Sequence, residues 1–431
     1  MEKELARELI DFLYDSPTAF HAVSNIKNIL KKEGFNELDA GDKWEIKNGG
    51  KYYVTTNDSA IAAFVVGKKD PQEAGFKIIG AHTDSPTFKI KPMPEMTPEG
   101  KYLKLNTEVY GGPILNTWFD RPLSLAGRVM LRGKNPLRPE TRLLNIKKPI
   151  MIIPNLAIHM NRDINNGVKI NPQTDTLPLL SMINEKFEKD NFLVKVIAKE
   201  LNVNEKDVLD FDLYLYEFEK GSIIGLNDEF ISSSRIDDLE LVHAGLKALL
   251  NSKTVDATNV LVCFDNEEVG SSTKQGANSE FLAALLERIV LVLGGNKEDY
   301  LRSLKKSFII SSDVAHAVHP NYGSKQDPVV RPVVNGGPVI KIAASQSYTS
   351  DADSSAVYEE ICRMAKVPVQ KFVNRSDMRG GSTIGPISST HLPIRSVDMG
   401  TALLAMHSIR ELCGVKDHYY TMKSFEVFYN L

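Results

Sequence analysis

The sequence is poor in cysteine, nearly balanced in charge and free of long apolar runs. It has three cysteines and a net charge of −3 over 431 residues. An odd number of widely spaced cysteines disfavours a disulfide framework and a cysteine-based zinc site, so we expect a reducing, cytoplasmic location. The small net charge gives no reason to expect a nucleic acid or an anionic membrane as partner. No apolar run reaches the roughly 20 residues of a membrane helix, and residues 1–16 lack the apolar core of a signal peptide.

The length of the chain predicts two domains, one interrupting the other. Residues 1–90 and 226–431 alternate short apolar strands with amphipathic helices, which is typical of an α/β domain. Residues 91–225 instead show short strand-like runs between turns rich in glycine, proline and asparagine, with helix-like stretches near 179–187 and 193–201. We therefore expect an α/β domain with an inserted β-rich domain.

Residues 260–277 carry the strongest single signal. The apolar run 260–264 predicts a buried strand, and it ends in a polar group that contains Glu267 and Glu268. Ligands collect at the carboxyl ends of strands in open α/β sheets. If the chain turns there, one glutamate can hold a metal ion while its neighbour accepts a proton from water. Taken alone, the pair also fits an acidic loop in solvent.

Further polar clusters follow other predicted strands or begin predicted helices. They are His82 with Asp84 after strand 76–79, Asp237 with Asp238 before helix 239–250, Asp313 after strand 307–311, and His407 on a predicted helix 403–412. A parallel sheet would bring such ends together along one edge. Histidine and carboxylate ligands suit zinc or a similar divalent ion, and a shared aspartate can bridge two ions. Each cluster alone has a simpler explanation, but together they predict a metal site.

Several motifs, in this order, resemble the M18 family of metalloaminopeptidases. They are GAHTDSP, SRIDDLE, FDNEEVGS, SDVAHAVHPNY, GPVIK, STIGP and AMHSIRE. The early SPTAFHAV and the later YGG and TWFDRPLSLAGR also match, so the resemblance covers essentially the whole chain. It implies a zinc-peptidase-like central mixed sheet flanked by helices, with residues 91–225 as an inserted dimerisation domain. The implied activity is removal of the first residue from peptides with a free N-terminus, with two Zn²⁺ per subunit, or Co²⁺ or Mn²⁺ in their place.

The resemblance also assigns roles to matching residues. The implied ligands are His82 and Asp313 for one ion, Glu268 and His407 for the other, and Asp237 as the bridge between them. Glu267 would be the general base that moves a proton from water to the leaving amine, and Asp84 would orient His82. Either His316 or His319 would stabilise the oxyanion.

Specificity is implied by Lys341 and Tyr348. Matching residues bind an acidic substrate side chain in members of the family with that preference, so we expect cleavage after N-terminal Asp or Glu. A lysine that points to water is the simpler interpretation of Lys341, and family members with neutral, leucine-type preference exist. The sequence departs from the acidic type at Asp238, where asparagine is common, and in the loop 374–385.

The resemblance further implies assembly. In the family the inserted domain builds dimers and then a tetrahedral dodecamer, and the histidine that matches His159 reaches a neighbour's active site. Two rival interpretations remain. A metallo-carboxypeptidase or deacylase of related fold would use the same ligand pattern, and a self-assembling scaffold would keep the fold without the chemistry.

Overall fold

Apolar residues at helical spacing at the start of the chain form two amphipathic helices, as predicted. We describe the fold from a computed structural model, in which residues 1–183, 191–378 and 380–431 are described. The helices are α1 Glu2–Asp15, α2 Ala19–Lys32, α3 Pro71–Ala74, α4 Phe192–Leu201, α5 Ile236–Asn251, α6 Phe281–Val292, α7 Lys297–Lys305, α8 Ala352–Ala365, α9 Ile384–His391 and α10 Val415–Asn430. In these described ranges, no helix combines the length and apolarity that crossing a membrane requires.

The apolar runs predicted as strands at 76–79, 260–264 and 307–311 each overlap a strand of the structure. The strands are β1 Asn36–Glu37, β2 Lys51–Thr56, β3 Ala60–Val65, β4 Phe76–His82, β5 Thr87–Met96, β6 Tyr102–Tyr110, β7 Leu123–Asn135, β8 Arg138–Asn145, β9 Leu179–Met182, β10 Val208–Glu217, β11 Ser222–Ile224, β12 Phe230–Ser233, β13 Thr258–Phe264, β14 Phe308–Ser312, β15 Ala315–His316, β16 Val339–Ile342, β17 Gln370–Val373, β18 Arg395–Gly400, β19 Ala402–Leu404 and β20 Glu411–Gly414.

Two compact units divide the described chain. The first comprises residues 1–84, 221–406 and 411–431, and the second comprises residues 85–220 and 407–410. The assignment of catalysis to one segment of the chain and dimerisation to the other stays a prediction.

A nine-stranded sheet organises the first unit. Its order is β1-β2-β3-β13-β4-β14-β18-β16-β17. The central strands β13, β4, β14 and β18 are parallel, whereas β3 and β16 run antiparallel to their neighbours β13 and β18. The sheet is therefore mixed. Because β13 and β4 are in register from Thr258 with Phe76 to Phe264 with His82, their carboxyl ends meet at one edge.

Helices cover both faces of this sheet. Successive side chains of a strand point to opposite faces, so Leu261 and Cys263 pack with α1, α2, α5, α8 and α10, whereas Val262 and Phe264 pack with α6, α7 and α9. Helix α5 approaches the sheet closely at Gly245, where a Cβ atom would lie 2.7 Å from Leu261 Cδ1. A glycine there lets helix α5, which carries Asp237 in its first turn, lie directly on the central strands.

A smaller five-stranded sheet of the first unit corrects one prediction. Its order is β11-β12-β20-β19-β15. The helix predicted over residues 403–412 is wrong, because Leu403 and Leu404 pair with Cys413 and Leu412 of β20. His407 has a φ of 67°, in the left-handed region that a right-handed helix excludes. A short apolar run is compatible with a helix or with a strand. Here the hydrogen bonds available from β12 and β20 favour strands.

The second unit is built on an antiparallel sheet. Its six strands have the order β8-β7-β10-β5-β6-β9. Apolar side chains of these strands, such as Leu125 and Leu213, form its core with Leu193 and Ile197 of α4. The helix expected over residues 179–187 is wrong at its start, where Leu179–Met182 is the strand β9. The rest of that stretch, from residue 184, lies outside the described residues.

Candidate metal centre

His82 ends strand β4 with both ring nitrogens facing oxygen atoms. Its Nδ1 lies 3.1 Å from the backbone oxygen and 3.3 Å from Oδ1 of Asp84, and its Nε2 lies 3.2 Å from Asp237 Oδ1. All three residues are buried. A histidine held at one nitrogen by a carboxylate or carbonyl presents the other nitrogen in a fixed direction, as metal-binding histidines do.

Asp84 also fixes the turn that carries the two glutamates. Its Oδ1 accepts a hydrogen bond from Glu267 N at 3.1 Å, and its Oδ2 accepts one from Glu268 N at 3.2 Å. Asn266, just before them, has a φ of 62°, a left-handed conformation that turns the chain sharply after β13. One buried carboxylate therefore connects the ends of two adjacent strands. The sequence did not predict this second task of Asp84.

The start of helix α5 places two aspartates beside His82. Asp237 N donates a hydrogen bond to Glu411 Oε2 at 3.0 Å, and Asp238 Oδ2 accepts one from His82 N at 3.1 Å. The peptide bond between Asp237 and Asp238 is cis. Arg235 precedes them with a φ of 61°. The sequence analysis places Asp238 in a polar cluster without giving it a separate role, and it does not single out Glu411.

These side chains form two overlapping groups within the first unit that could hold a metal ion. In each group the ligand atoms lie within 4.8 Å of one another; the members are His82, Asp237, Asp238 and Asp313 in one, and His82, Glu267 and Glu268 in the other. Imidazole nitrogen and carboxylate oxygen are ligands of zinc, and oxygen-rich sets also suit manganese. The structure thus brings together most of the ligands predicted from the sequence.

The electrostatics of the cluster fit a cation. Burial raises the pKa of Glu267 to about 8, and the negative charges of Asp313 and Asp84 act in the same direction. Burial likewise raises the pKa of Glu268 and Asp238. Within the described chain, Asp238 Oδ1 is buried and accepts no hydrogen bond. Crowded, buried carboxylates with raised pKa values are what a divalent ion would stabilise, so the residues present fit the metal that the motifs imply.

Lys341 and Tyr348 lie beside this cluster. Lys341 Nζ is 3.7 Å from Asp313 Oδ1 and 5.4 Å from the centre of the Tyr348 ring. Both side chains are buried. Burial acts to lower the pKa of Lys341, but Asp313, Tyr348 and Asp398 outweigh it and raise the pKa. The lysine is therefore charged, and it does not point to water.

The remaining predicted residues are four histidines. His316 and His319 are exposed in the first unit, the former with its ring 5.8 Å from that of Phe372. His159 is exposed in a short 3₁₀ turn of the second unit. His407 also belongs to the second unit, where its Nδ1 lies 3.0 Å from Gly112 O. The roles assigned to these histidines stay predictions.

Comparison with known proteins gives a consistent result over nearly the whole chain. A family model described as aminopeptidase I zinc metalloprotease (M18) matches residues 12–429. A probable M18 family aminopeptidase 2 of Clostridium novyi (strain NT) is 70% identical over 428 residues, which cover 99% of each chain.

Solved structures show the same similarity at the level of the fold. A chain in the cryo-EM structure of the Ape4 and Nbr1 complex matches with a TM-score of 0.96 and 37% identity, over 99% of this chain and 86% of that one. The structure of the S. cerevisiae mApe1 dodecamer matches with a TM-score of 0.85 and 30% identity, over 99% of this chain and 96% of that one.

Proposed function

This chain belongs to the M18 family of zinc aminopeptidases, and from that premise we propose that it removes N-terminal aspartate or glutamate from peptides with the help of two metal ions. The resemblance found in the sequence motifs is thereby confirmed at the level of the family. The observation that supports the metal-dependent part of this proposal is the buried arrangement in which Asp84 contacts His82 and both amides of the glutamate turn.

The proposed ligands follow the motifs. His82 and Asp313 would hold one ion, Glu268 and His407 the other, and Asp237 would bridge them. Bound divalent ions supply Lewis-acid polarisation of the scissile carbonyl and ease the deprotonation of water. The close grouping of His82, Asp237 and Asp313 supports this assignment for the first ion; for His407 the support is its place in the AMHSIRE motif.

The protein's own groups move the proton. Glu267 would accept a proton from the attacking water and pass it to the leaving amine, as a general base and then a general acid. Its backbone is held by Asp84, so the carboxylate is presented from a fixed turn. His316 or His319 would donate to the oxyanion that develops on the substrate carbonyl.

Acidic specificity would come from Lys341 and Tyr348. A charged, buried lysine attracts a substrate carboxylate strongly, because little water competes for it. The distance of 3.7 Å between Lys341 Nζ and Asp313 Oδ1 favours a second candidate, an aminopeptidase for neutral residues. In that case Asp313 would neutralise the charge of Lys341, and the alkyl chain of Lys341 would line a pocket for a leucine-type side chain.

We also propose assembly into dimers and then a tetrahedral dodecamer, with His159 of one copy reaching the active site of another. The similar mApe1 is a dodecamer. Residues on both sides of His159 support an interface, since Leu156, Ile158 and Met160 are exposed by 54%, 47% and 70%. The three free, buried cysteines support a reducing cytoplasmic location.

The decisive experiment measures hydrolysis of Asp-, Glu- and Leu-linked chromogenic amides by zinc-reconstituted protein. Faster cleavage of the acidic substrates supports the acidic pocket, and faster cleavage of the leucyl substrate selects the neutral alternative. An N-terminally blocked peptide run beside its free form separates an aminopeptidase from a carboxypeptidase or deacylase. Absence of metal-dependent hydrolysis in all of these would favour the scaffold.

A further inference from the structure

Asp398 lies in the middle of strand β18 and its carboxylate holds two separate loops. Its Oδ2 accepts hydrogen bonds from Thr349 N at 2.5 Å and Thr349 Oγ1 at 3.1 Å, and its Oδ1 accepts one from Thr383 Oγ1 at 2.9 Å. Its backbone N donates to Ser350 Oγ at 2.9 Å. The residue is fully buried. A buried carboxylate with several short hydrogen bonds is a strong local tether.

The two tethered loops flank the proposed specificity pocket. Thr349 and Ser350 directly follow Tyr348, whose ring lies 5.4 Å from Lys341 Nζ. Thr383 follows Ser382, whose Oγ donates to Ser347 O at 3.4 Å. The loops therefore contact each other as well as Asp398.

The register of the sheet places Asp398 opposite Lys341. Strands β16 and β18 are antiparallel, with Val339 opposite Gly400 and Ile340 opposite Met399. Extended by one residue, this register brings Lys341 opposite Asp398, with both side chains on the same face of the sheet. Asp398 is also one of the charges that raise the pKa of Lys341. The tether thus lies under the pocket and not at a distant part of the fold.

Helix α9 packs closely on this carboxylate at a glycine. A Cβ atom at Gly385, in the first turn of α9, would lie 2.4 Å from Asp398 Oδ1. Because the carboxylate contacts the backbone of the helix start so closely, movement of Asp398 would also move Thr383, the residue that precedes the helix.

We propose that Asp398 is a positioning residue for substrate selection: by holding residues 349, 350 and 383 together it fixes Tyr348 and Lys341 in the arrangement that recognises the N-terminal side chain. This inference rests on the proposed role of Lys341 and Tyr348 in that pocket. Asp398 itself touches no substrate. It acts by lowering the freedom of the two loops, so less ordering is needed when a substrate binds.

The test compares Asp398→Ala with Asp398→Asn. Alanine removes the tether, whereas asparagine keeps the shape, can accept from Thr349 N and can donate to Thr383 Oγ1. For Asp398→Ala we expect the ratio of kcat/KM between the preferred and a non-preferred N-terminal residue to fall about tenfold, as the loss of hydrogen bonds to a charged group suggests, mainly through KM. Asp398→Asn should restore most of the ratio.

Hydrogen exchange supplies a readout that does not depend on activity. In Asp398→Ala, amide exchange in residues 344–350 and 380–385 should become faster. In Asp398→Asn the exchange rates should stay close to those of the wild type, and the zinc content of both variants should not change. Asn296→Ala is the control for a general loss of stability, because it removes only the side chain that caps α7. It should leave the substrate ratio and the exchange of both loops unchanged.

The outcomes separate the inference from the proposed function. Uniform scaling of kcat/KM for Asp-, Glu-, Leu- and Ala-linked substrates in folded Asp398→Ala would overturn the inference. If Asp398→Ala does not fold, Thr383→Val replaces it, and an unchanged ratio in that variant overturns the inference equally. If the substrate ratio is unchanged in Lys341→Met, the proposed pocket is wrong. If the ratio changes in Lys341→Met but not in Asp398→Ala, the pocket is supported and Asp398 has no part in it.

Discussion

Lys341 Nζ lies 3.7 Å from Asp313 Oδ1 and donates a hydrogen bond to Val314 O at 3.1 Å. Asp313 is therefore both a proposed metal ligand and the nearest anion to the proposed specificity lysine. A metal ion on Asp313 would draw its negative charge away from Lys341. The ammonium would then be more available to a substrate carboxylate, so the proposed metal binding and the proposed acidic selection would be coupled through this one side chain.

Lys341→Met should remove the acidic preference while the metal stays bound. A hydrogen bond to a charged group is worth about 1.5–3 kcal/mol, so kcat/KM for Asp- and Glu-linked substrates should fall about 10- to 100-fold and change little for a leucyl substrate. Zinc content by elemental analysis should not fall, because Asp313 loses a competing cation. Lys371→Met is the matched control: it lies on the next strand, is half exposed and pairs with Glu359 at the surface. Equal losses on acidic and leucyl substrates would contradict the pocket.

Glu267→Gln should abolish turnover and spare binding. The amide cannot accept the proton from water, and general bases contribute about 100- to 10,000-fold to rate. We expect kcat to fall by that factor with KM and zinc content nearly constant. Glu287→Gln, which removes a surface ion pair with Lys297, should behave as the wild type. Residual activity near the wild-type level would remove Glu267 from the mechanism.

Asp84→Asn should weaken zinc binding without unfolding the protein. In the wild type, Asp84 accepts hydrogen bonds from the backbone amides of Glu267 and Glu268 and contacts His82 Nδ1. The side-chain nitrogen that the substitution introduces would face one of these donors and could not accept its hydrogen bond. Loss of such supporting contacts costs about 10- to 100-fold in metal affinity, measurable by competition with a chelator. Asp327→Asn is a close control, because Asp327 also accepts from two consecutive amides, Val329 and Val330, at an exposed site. Unchanged affinity would mean that Asp84 does not orient the ligands.

The strand ends were predictable because both their apolar runs and the polar residues after them are local in sequence. The predicted strand 76–79 continues to His82 in the structure, and the predicted strand 260–264 begins two residues earlier, at Thr258. The ends of parallel strands meet along one edge of a sheet, which predicts that these polar residues lie near one another. These parts of the site follow from short stretches of chain.

Side-chain contacts between distant segments were not predictable in the same way. Asp398 is an acidic residue inside a buried strand, but its partners Thr349 and Thr383 lie 49 and 15 residues before it in the chain. The sequence predicts a helix over residues 403–412 that carries His407. Pairing between β19 and β20 overrides this prediction, and it depends on strands that are distant in the sequence.

Asp417 should make the stability of the fold depend on pH. Its carboxylate accepts hydrogen bonds from Asn335 N at 2.5 Å and Gly337 N at 2.8 Å, yet burial raises its pKa to about 7 from 3.8. A carboxyl group whose pKa is raised on folding stabilises the fold when it is protonated. For Asp417 this contribution is fully present below about pH 4 and is lost as the pH rises to about 7. Asparagine does not titrate.

The free energy of unfolding of the wild type, minus that of Asp417→Asn, should therefore decrease from pH 4 to 7 and be constant above it. Urea unfolding of both proteins at pH 5, 6, 7 and 8 measures this difference. Asp256→Asn, at an exposed residue paired with Lys69, should show no such decrease through this window. A difference that does not vary with pH would mean that Asp417 has the same pKa in the folded and unfolded chain.

Mixed oligomers of two inactive variants should test whether His159 acts in a neighbouring active site. Glu267→Gln and His159→Ala should each be nearly inactive when assembled alone. In randomly mixed assemblies, an active site needs Glu267 from its own copy and His159 from a neighbour, so about a quarter of sites should work. If His159 served its own copy, every site would lack one of the two groups. Coexpressed variants should thus regain about a quarter of wild-type activity, whereas separately assembled and then combined variants should not; no recovery on coexpression would contradict the exchange of His159 between copies.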